Sequence, residues 1–324
     1  MHKRLILLKI EMQKIRIGTR SSKLALWQAH YIESLLQKGG LETEIITMET
    51  KGDLILNQPL SEIGTKGLFT EELEVKLVSG EIDIAVHSAK DMQSELNDGL
   101  EIIAFTEREK PNDVLVSFDK NFSLQNSSAE IIVGTSSTRR KAVLKRNYPH
   151  IKIVDCRGNL QTRFRKMEEG QYQAMLLAYA GVHRMGYDDH IVKLFSLEEF
   201  TPAVGQGSIA IEISTSLDSQ KKEKIRALIN HTETEYCLLS ERAFLKKLQG
   251  GCSVPIFALA SYNVNTLNLH GGIISLDGKD LISESVSGVA QNAIALGEKL
   301  ADTLLEKGGG IILENIKLHK TKNQ

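Results

Sequence analysis

Three times along this chain a short apolar run ends in a small-residue turn that carries serine and arginine into the start of a helix. The stretches are RIGTRSSKLALWQ (residues 16–28), IIVGTSSTRRKAVL (131–144) and IVDCRGNLQTRF (153–164). Strands that alternate with helices in this way argue for a parallel sheet in an α/β fold. A helix start exposes unpaired N–H groups and the positive end of its dipole, so it already favours an anion. Guanidinium groups added there suit no neutral ligand. The pattern describes a protein built to hold a multiply negative small molecule.

Ile15 and Ile17 alternate in a strand ending at Gly18. The next helix starts near Ser21 or Ser22, both good N-caps. Its apolar face reads as Leu24, Trp27, Tyr31 and Leu35, at helical spacing. A second strand is expected around 43–50. IGTKG (63–67) leads to a helix with Glu71 and Glu72 in its first turn, and Ile82, Ile84 and Val86 alternate in a third strand ahead of HSAKD (87–91). Strands at 131–133, 151–154 and 174–178 then alternate with helices at about 138–147, 160–169 and 180–185. Ligands of such sheets bind outside the carboxyl ends of the strands. Each motif falls at such an end, so the motifs are expected to converge on one cleft.

TPAVGQGSIAIEI (201–213) bends back into an alternating strand that rejoins the first sheet. The expected division is a discontinuous first domain (13–112 plus 205–228), an inserted second domain (113–204) and a smaller α+β third domain (229–324). The third holds a long helix from Thr232 to Leu248, two or three strands and a final helix near 290–306.

Several residues have two readings. In GTSSTRR, Ser136, Ser137 and Thr138 either only cap a helix or also bind a ligand. Arg139 and Arg140 are either solvated or present planar forks to carboxylate or phosphate. Arg157 and Arg163 flank the CRGNLQTR turn, either as ligand groups or as part of a surface helix paired with Glu168 and Glu169. Lys90 and Asp91 follow a buried strand, where the carboxylate serves as an ion-pair partner or stabilises a cation formed in a reaction. His87 is read equally as a packed strand-end residue and as a catalytic one. Gly64, Lys66 and Gly67 either bind an anion or serve only as a connection. Cys156 and Cys237 read as buried small hydrophobes, whereas Cys252, on the glycine turn QGGCSVP, is more accessible and more reactive.

Composition narrows the classes. Lys plus Arg is 40 against 41 for Asp plus Glu, a net charge of -1, which is not the basic excess of a general nucleic-acid binder. Three distant cysteines make neither a disulfide framework nor a CxxC pair, so a reducing cytoplasm is expected. No HExxH or Cys/His cluster is present, so no metal site is expected. No apolar run approaches membrane-spanning length, and nothing in the sequence calls for more than a monomer. The segment MHKRLILLKIEMQK reads as a loose N-terminal extension, with Met12 as an alternative start.

RIGTRSSKLALWQ, KGLFTEELE, DIAVHSAKD, VGTSSTRR, RGNLQTR, PAVGQG and GGCSVP, in this order over roughly residues 15–315, resemble the hydroxymethylbilane synthase (porphobilinogen deaminase) family. The resemblance implies two periplasmic-binding-protein-like (type II) domains enclosing a cleft, with a small α+β domain carrying a cofactor cysteine. It implies a transferase of tetrapyrrole (haem) biosynthesis that condenses four porphobilinogen molecules head to tail with loss of ammonia. The primer is a dipyrromethane cofactor, held by a thioether that the resemblance assigns to Cys252. Asp91 matches the catalytic aspartate, with Lys90 and Arg20 assisting. Ser22, Lys66, Lys90, Asp91, Ser137, Arg139, Arg140 and Arg157 match cofactor-binding positions. Arg20, Gln28, Arg157, Arg163 and Arg184 match substrate-binding positions. Glu62, Ala89, Gln93 and Phe257 depart from the family pattern. The runner-up reading is a two-lobed cytoplasmic anion-binding protein without catalysis.

Overall fold

The computed structural model describes residues 14–50, 70–125, 130–251 and 254–321. Cys252, Lys66 and Glu62 lie outside the described residues, as do Met12 and the segment preceding it. The first sheet collects β1 (Ile15–Arg20), β2 (Thr43–Met48), β3 (Ile84–Ser88), β4 (Leu100–Phe105) and a late strand, β10 (Ile209–Ser214), in the order β2-β1-β3-β10-β4. The second collects β5 (Asp113–Ser117), β6 (Ile132–Gly134), β7 (Lys152–Val154), β8 (Ala174–Ala178) and β9 (Ile191–Leu194) in the order β7-β6-β8-β5-β9. The two orders match position for position. Three parallel strands are followed by one antiparallel strand, β10 in the first sheet and β5 in the second. This paired arrangement is the periplasmic-binding-protein-like architecture implied by the resemblance. The sheets are therefore mixed, not purely parallel, because the chain enters the second sheet through β5 and re-enters the first through β10.

Helices α1 (Lys23–Lys38) and α2 (Glu71–Val78) follow strands of the first sheet. Helices α3 (Thr138–Asn147), α4 (Leu160–Glu168) and α5 (Tyr179–Arg184) follow β6, β7 and β8. The caps are the ones the sequence offers. Ser22 accepts from Ala25 N–H, Ser137 from Arg140 N–H and Asn159 from Thr162 N–H. After β10 come α6 (Ser219–Ile229) and the long α7 (Thr232–Lys247). The β11 (Ile256–Asn263), β12 (Thr266–Ile274) and β13 (Leu281–Val289) meander packs against α7 and α8 (Ala293–Leu304).

Three local expectations are corrected. The buried face of α1 is Ala25, Gln28, Ala29, Ile32 and Leu36, while Trp27 and Tyr31 are 36% and 37% exposed. Two alanines let the helix lie close to the sheet, so the core takes the small residues and the aromatic pair turns outward. β10 alternates in sequence but is buried at every position, because it is a central strand covered on both faces. The helix at the expected end of the chain is not the last. The chain kinks at Gly308 (φ +98°) and continues as α9 (Gly310–Thr321).

Two crossing segments, residues 106–112 and 201–208, join the sheets, and α7 grips both. Glu241, fully buried on α7, accepts from Arg108 Nη1 and Nη2 at 2.7 and 2.8 Å, from Gly205 N–H at 2.9 Å and from Ala260 N–H at 2.8 Å. Gly205 (φ +76°) permits a close approach that no side chain would allow. A Cβ there would lie 2.8 Å from the Ala89 carbonyl carbon and 2.9 Å from Lys90 N. Gly207 (φ +99°) is equally constrained, since a Cβ would lie 2.4 Å from the Glu109 carbonyl oxygen. The PAVGQG motif is thus a backbone-on-backbone contact that presses the second crossing onto the HSAKD turn. Replacing Arg108 by Leu leaves the Glu241 carboxylate buried without its counter-charge, a loss of about 3–5 kcal/mol. Urea unfolding of Arg108→Leu should therefore show a clearly lower midpoint, and an unchanged midpoint contradicts this account of the crossings.

Candidate active site

The carboxyl ends of β1, β3, β6, β7 and β8 face one another across the two crossings. Between them lie two connecting cavities of about 440 and 500 Å³ that share Lys90, Asp91, Ser136, Arg140 and Arg163. The first is lined by Arg20, Ser22, Gln28, Arg157 and Arg184 besides the shared residues. The second is lined by Ser137, Arg139 and Gln206, and reaches Gly251 and Val254, which flank positions 252 and 253. The structure thus brings the sequence motifs into one cleft, as their strand-end positions require. Lys66 and Cys252 lie outside the described residues.

The lining residues divide into those already bound to the protein and those left open. Arg139 donates to Asp113 Oδ2 at 2.7 Å and to the Thr201 carbonyl at 2.9 Å. Arg140 donates to Asp113 Oδ1 at 2.7 and 3.1 Å and to the Leu176 carbonyl at 3.1 Å. Gln206 Nε2 adds a bond to Asp113 Oδ1 at 2.9 Å. Burial alone would raise the Asp113 pKa, but the two guanidinium groups outweigh it and hold the carboxyl far below the usual carboxylate range. Arg163 Nε donates to the Gly158 carbonyl at 2.8 Å, and Gln28 Nε2 to Ser88 Oγ at 2.9 Å. Arg184 Nη2 donates to the Gly207 carbonyl at 2.7 Å. Arg139 and Arg140 are buried rather than solvated, and among the described residues neither Arg157 nor Arg163 pairs with Glu168 or Glu169. The ion pair formed on α4 is Arg165 with Glu169.

The Lys90 ammonium, the Asp91 carboxylate and the Arg157 guanidinium have no hydrogen-bond partner among the described residues. Arg157 Nη1 and Arg139 Nε are buried and orphaned. Burial pushes the Lys90 pKa down to about 8, with Asp91 opposing and Arg140 reinforcing that shift. The first cavity therefore sets six cationic side chains around a single carboxylate, Asp91. A multiply charged carboxylic acid fits such a lining. Orphaned donors would gain partners, and burial would strengthen each ion pair. The residues fit a dipyrromethane, a two-ring group bearing several carboxylates, on the same grounds.

The other titratable groups nearby are structural. Cys156 is buried and its Sγ lies 3.0 Å from the Tyr172 hydroxyl. Burial raises its pKa and pushes that of Cys237 up to about 12, so both thiols are poor nucleophiles. His87 is buried 3.0 Å from Glu212 Oε2 in the sheet interior, which agrees with the packed reading of that residue. No cluster of His, Cys, Asp or Glu among the described residues could hold a metal ion, and no described helix is long and apolar enough to cross a membrane. Asp113 and Gln206 were missed by sequence reasoning, whereas Ser136, read from GTSSTRR, lines both cavities. Asp113 opens an apolar strand, DVLVS, and a carboxylate at the edge of a buried run is the one signal that pointed to it.

Folding lowers the Lys90 pKa, so between about pH 8 and the ordinary lysine value of about 10.4 the unfolded chain binds this proton more tightly. The contribution of Lys90 to stability accordingly rises with pH across that window. A carbon-13 NMR titration of the Lys90 side chain should show a midpoint near pH 8. A midpoint in the ordinary lysine range would contradict the desolvated site.

Comparison with known proteins identifies the family. Residues 15–223 match the family model "Porphobilinogen deaminase, dipyromethane cofactor binding domain", and residues 235–306 match "Porphobilinogen deaminase, C-terminal domain". The porphobilinogen deaminase of Desulfosudis oleivorans is 54% identical over 308 residues, covering 95% of this chain and 99% of its own. That of Cytophaga hutchinsonii is 54% identical over 309 residues, again covering 95% and 99%. Among solved structures, the methionine binding protein MetQ superposes on 66% of this chain and 89% of its own, at 13% identity and a TM-score of 0.42. The chain belongs to the porphobilinogen deaminase family.

Proposed function

We propose that this chain carries out its family's reaction in the cleft between the two five-stranded sheets, with Asp91 as the catalytic carboxylate. The chain is a hydroxymethylbilane synthase, a transferase of tetrapyrrole biosynthesis. It joins four porphobilinogen molecules head to tail into a linear tetrapyrrole and releases ammonia at each step. The observation that carries the residue assignment is the position of Asp91. It is the lone carboxylate of the first cavity, it has no hydrogen-bond partner among the described residues, and it lies where the two cavities meet.

As ammonia leaves, positive charge develops on the substrate pyrrole. A carboxylate fixed beside it stabilises that charge and accepts a pyrrole N–H bond. Lys90 and Arg20 flank Asp91 and assist, with Lys90 close enough to neutrality to pass or take a proton near pH 8. Arg157, Arg163, Arg184 and Gln28 hold the acetate and propionate of the incoming substrate in the first cavity. Ser22 supports the same wall by capping α1.

Ser137, Arg139, Arg140, Arg157 and Lys90, together with Lys66, hold the dipyrromethane, which when bound supplies the primer to which substrate units are added. Its tether is assigned to Cys252. Two facts support that choice. The second cavity reaches Gly251 and Val254, and the other two cysteines are buried thiols with raised pKa values. The three sheets support the division into 13–112 with 205–228, 113–204 and 229–324. A monomer acting in the cytoplasm without nucleic acid is the simplest setting for this cleft.

Asp91→Asn keeps the shape and removes the charge. Ammonia release from porphobilinogen should fall by about 10²–10³-fold or more, with the unfolding midpoint and the bound cofactor retained. Near-normal turnover in that variant contradicts the role given to Asp91.

A further inference from the structure

Trp27 is the only tryptophan in the chain, and it is partly exposed on α1 between Leu24 and Gln28, which line the first cavity. It lies 5.6 Å from Tyr31, ring to ring, with planes 6° apart. The Arg184 guanidinium lies over the indole, with Cζ 5.4 Å from its centroid. Trp27 belongs to α1, beside the first sheet, and Arg184 closes α5, beside the second. The helices meet closely here, since a Cβ on Gly181 would lie 3.7 Å from Leu24 Cδ2. One nitrogen of Arg184 is tied to the Gly207 carbonyl on the second crossing, and its side chain lines the cavity. An arginine has about five N–H donors and a side chain with many rotamers. Held by a ring face and one carbonyl, it keeps the remaining donors for a carboxylate.

We propose that Trp27 is a positioning residue: its indole face, braced by Tyr31, holds Arg184 across the cleft mouth in the orientation that receives a substrate carboxylate. The role rests on the substrate reading given above for the same cavity. Burial disfavours the Arg184 charge, and Glu109 and Tyr31 oppose that effect, so the guanidinium depends on its immediate surroundings. The contact also bridges the two lobes. Release of Arg184 would loosen the mouth without touching Asp91 or the tether.

Two measurements on the full-length holoenzyme test this. Because Trp27 is the sole tryptophan, its fluorescence reads the contact without reference to turnover. Acrylamide quenching should increase when Arg184→Gln removes the guanidinium, and an unchanged quenching constant would overturn the contact. In kinetics, Trp27→Ala should raise KM for porphobilinogen about threefold to tenfold with kcat within about twofold. Trp27→Phe should recover most of that loss, and unfolding midpoints should not move because the indole is partly exposed. Wild-type turnover with an unchanged KM in Trp27→Ala overturns the positioning role alone. A wild-type protein that releases no ammonia from porphobilinogen overturns the enzymatic reading beneath it.

Discussion

A buried carboxylate, Asp113, is the constraint on which the cleft depends. It is fully buried at the first residue of β5, where the chain passes from the first sheet to the second. It ties Arg139 and Arg140 of α3 to Gln206 of the returning crossing. A single carboxylate thus joins the entrance to one lobe, the helix that presents Ser136 and Ser137, and the exit back to the other lobe. An isolated buried charge would cost several kcal/mol, but two guanidinium partners and an amide reverse the balance. The excess positive charge left over faces the cavity.

That excess is distributed unevenly. Arg139, Arg140, Arg163 and Arg184 are anchored to protein acceptors, so they form rigid walls. Among the described residues, Lys90, Asp91 and Arg157 make no side-chain hydrogen bond and are able to respond to a ligand. Rigid cations that need no reorganisation, set around a few open groups, suit a reaction whose substrate carries carboxylates and whose ring becomes positive. The contact of Gly205 on the Ala89–Lys90 backbone fixes the turn that carries Lys90 and Asp91. The strand order supplies the rest. It places five strand ends around one cleft, and α7 fastens both crossings through Glu241.

Much of this was legible in the sequence because it is local. Ser22, Ser137 and Asn159 cap helices through bonds spanning three residues, and such signals survive without tertiary context. The convergence of the motifs followed from their positions at strand ends. What was not legible depends on pairing across long separations. Arg139 and Arg140 were visible as cations, but their partner lies 26 and 27 residues away. The face of α1 was misjudged because hydrophobicity favoured Trp27 and Tyr31, whereas close packing on the sheet selected Ala25 and Ala29. The burial of β10 on both faces, and the extra helix after Gly308, depend on what covers a strand and where the chain turns. Neither is written in an alternation of residue types.

The central claim is that the cleft works on a group tethered at Cys252. The denatured intact mass of the purified protein beside its Cys252→Ser variant tests it most directly. The expected result is an adduct of two pyrrole units on the wild-type chain and none on the variant. A wild-type chain without adduct after incubation with porphobilinogen, or an adduct that persists in Cys252→Ser, would contradict it.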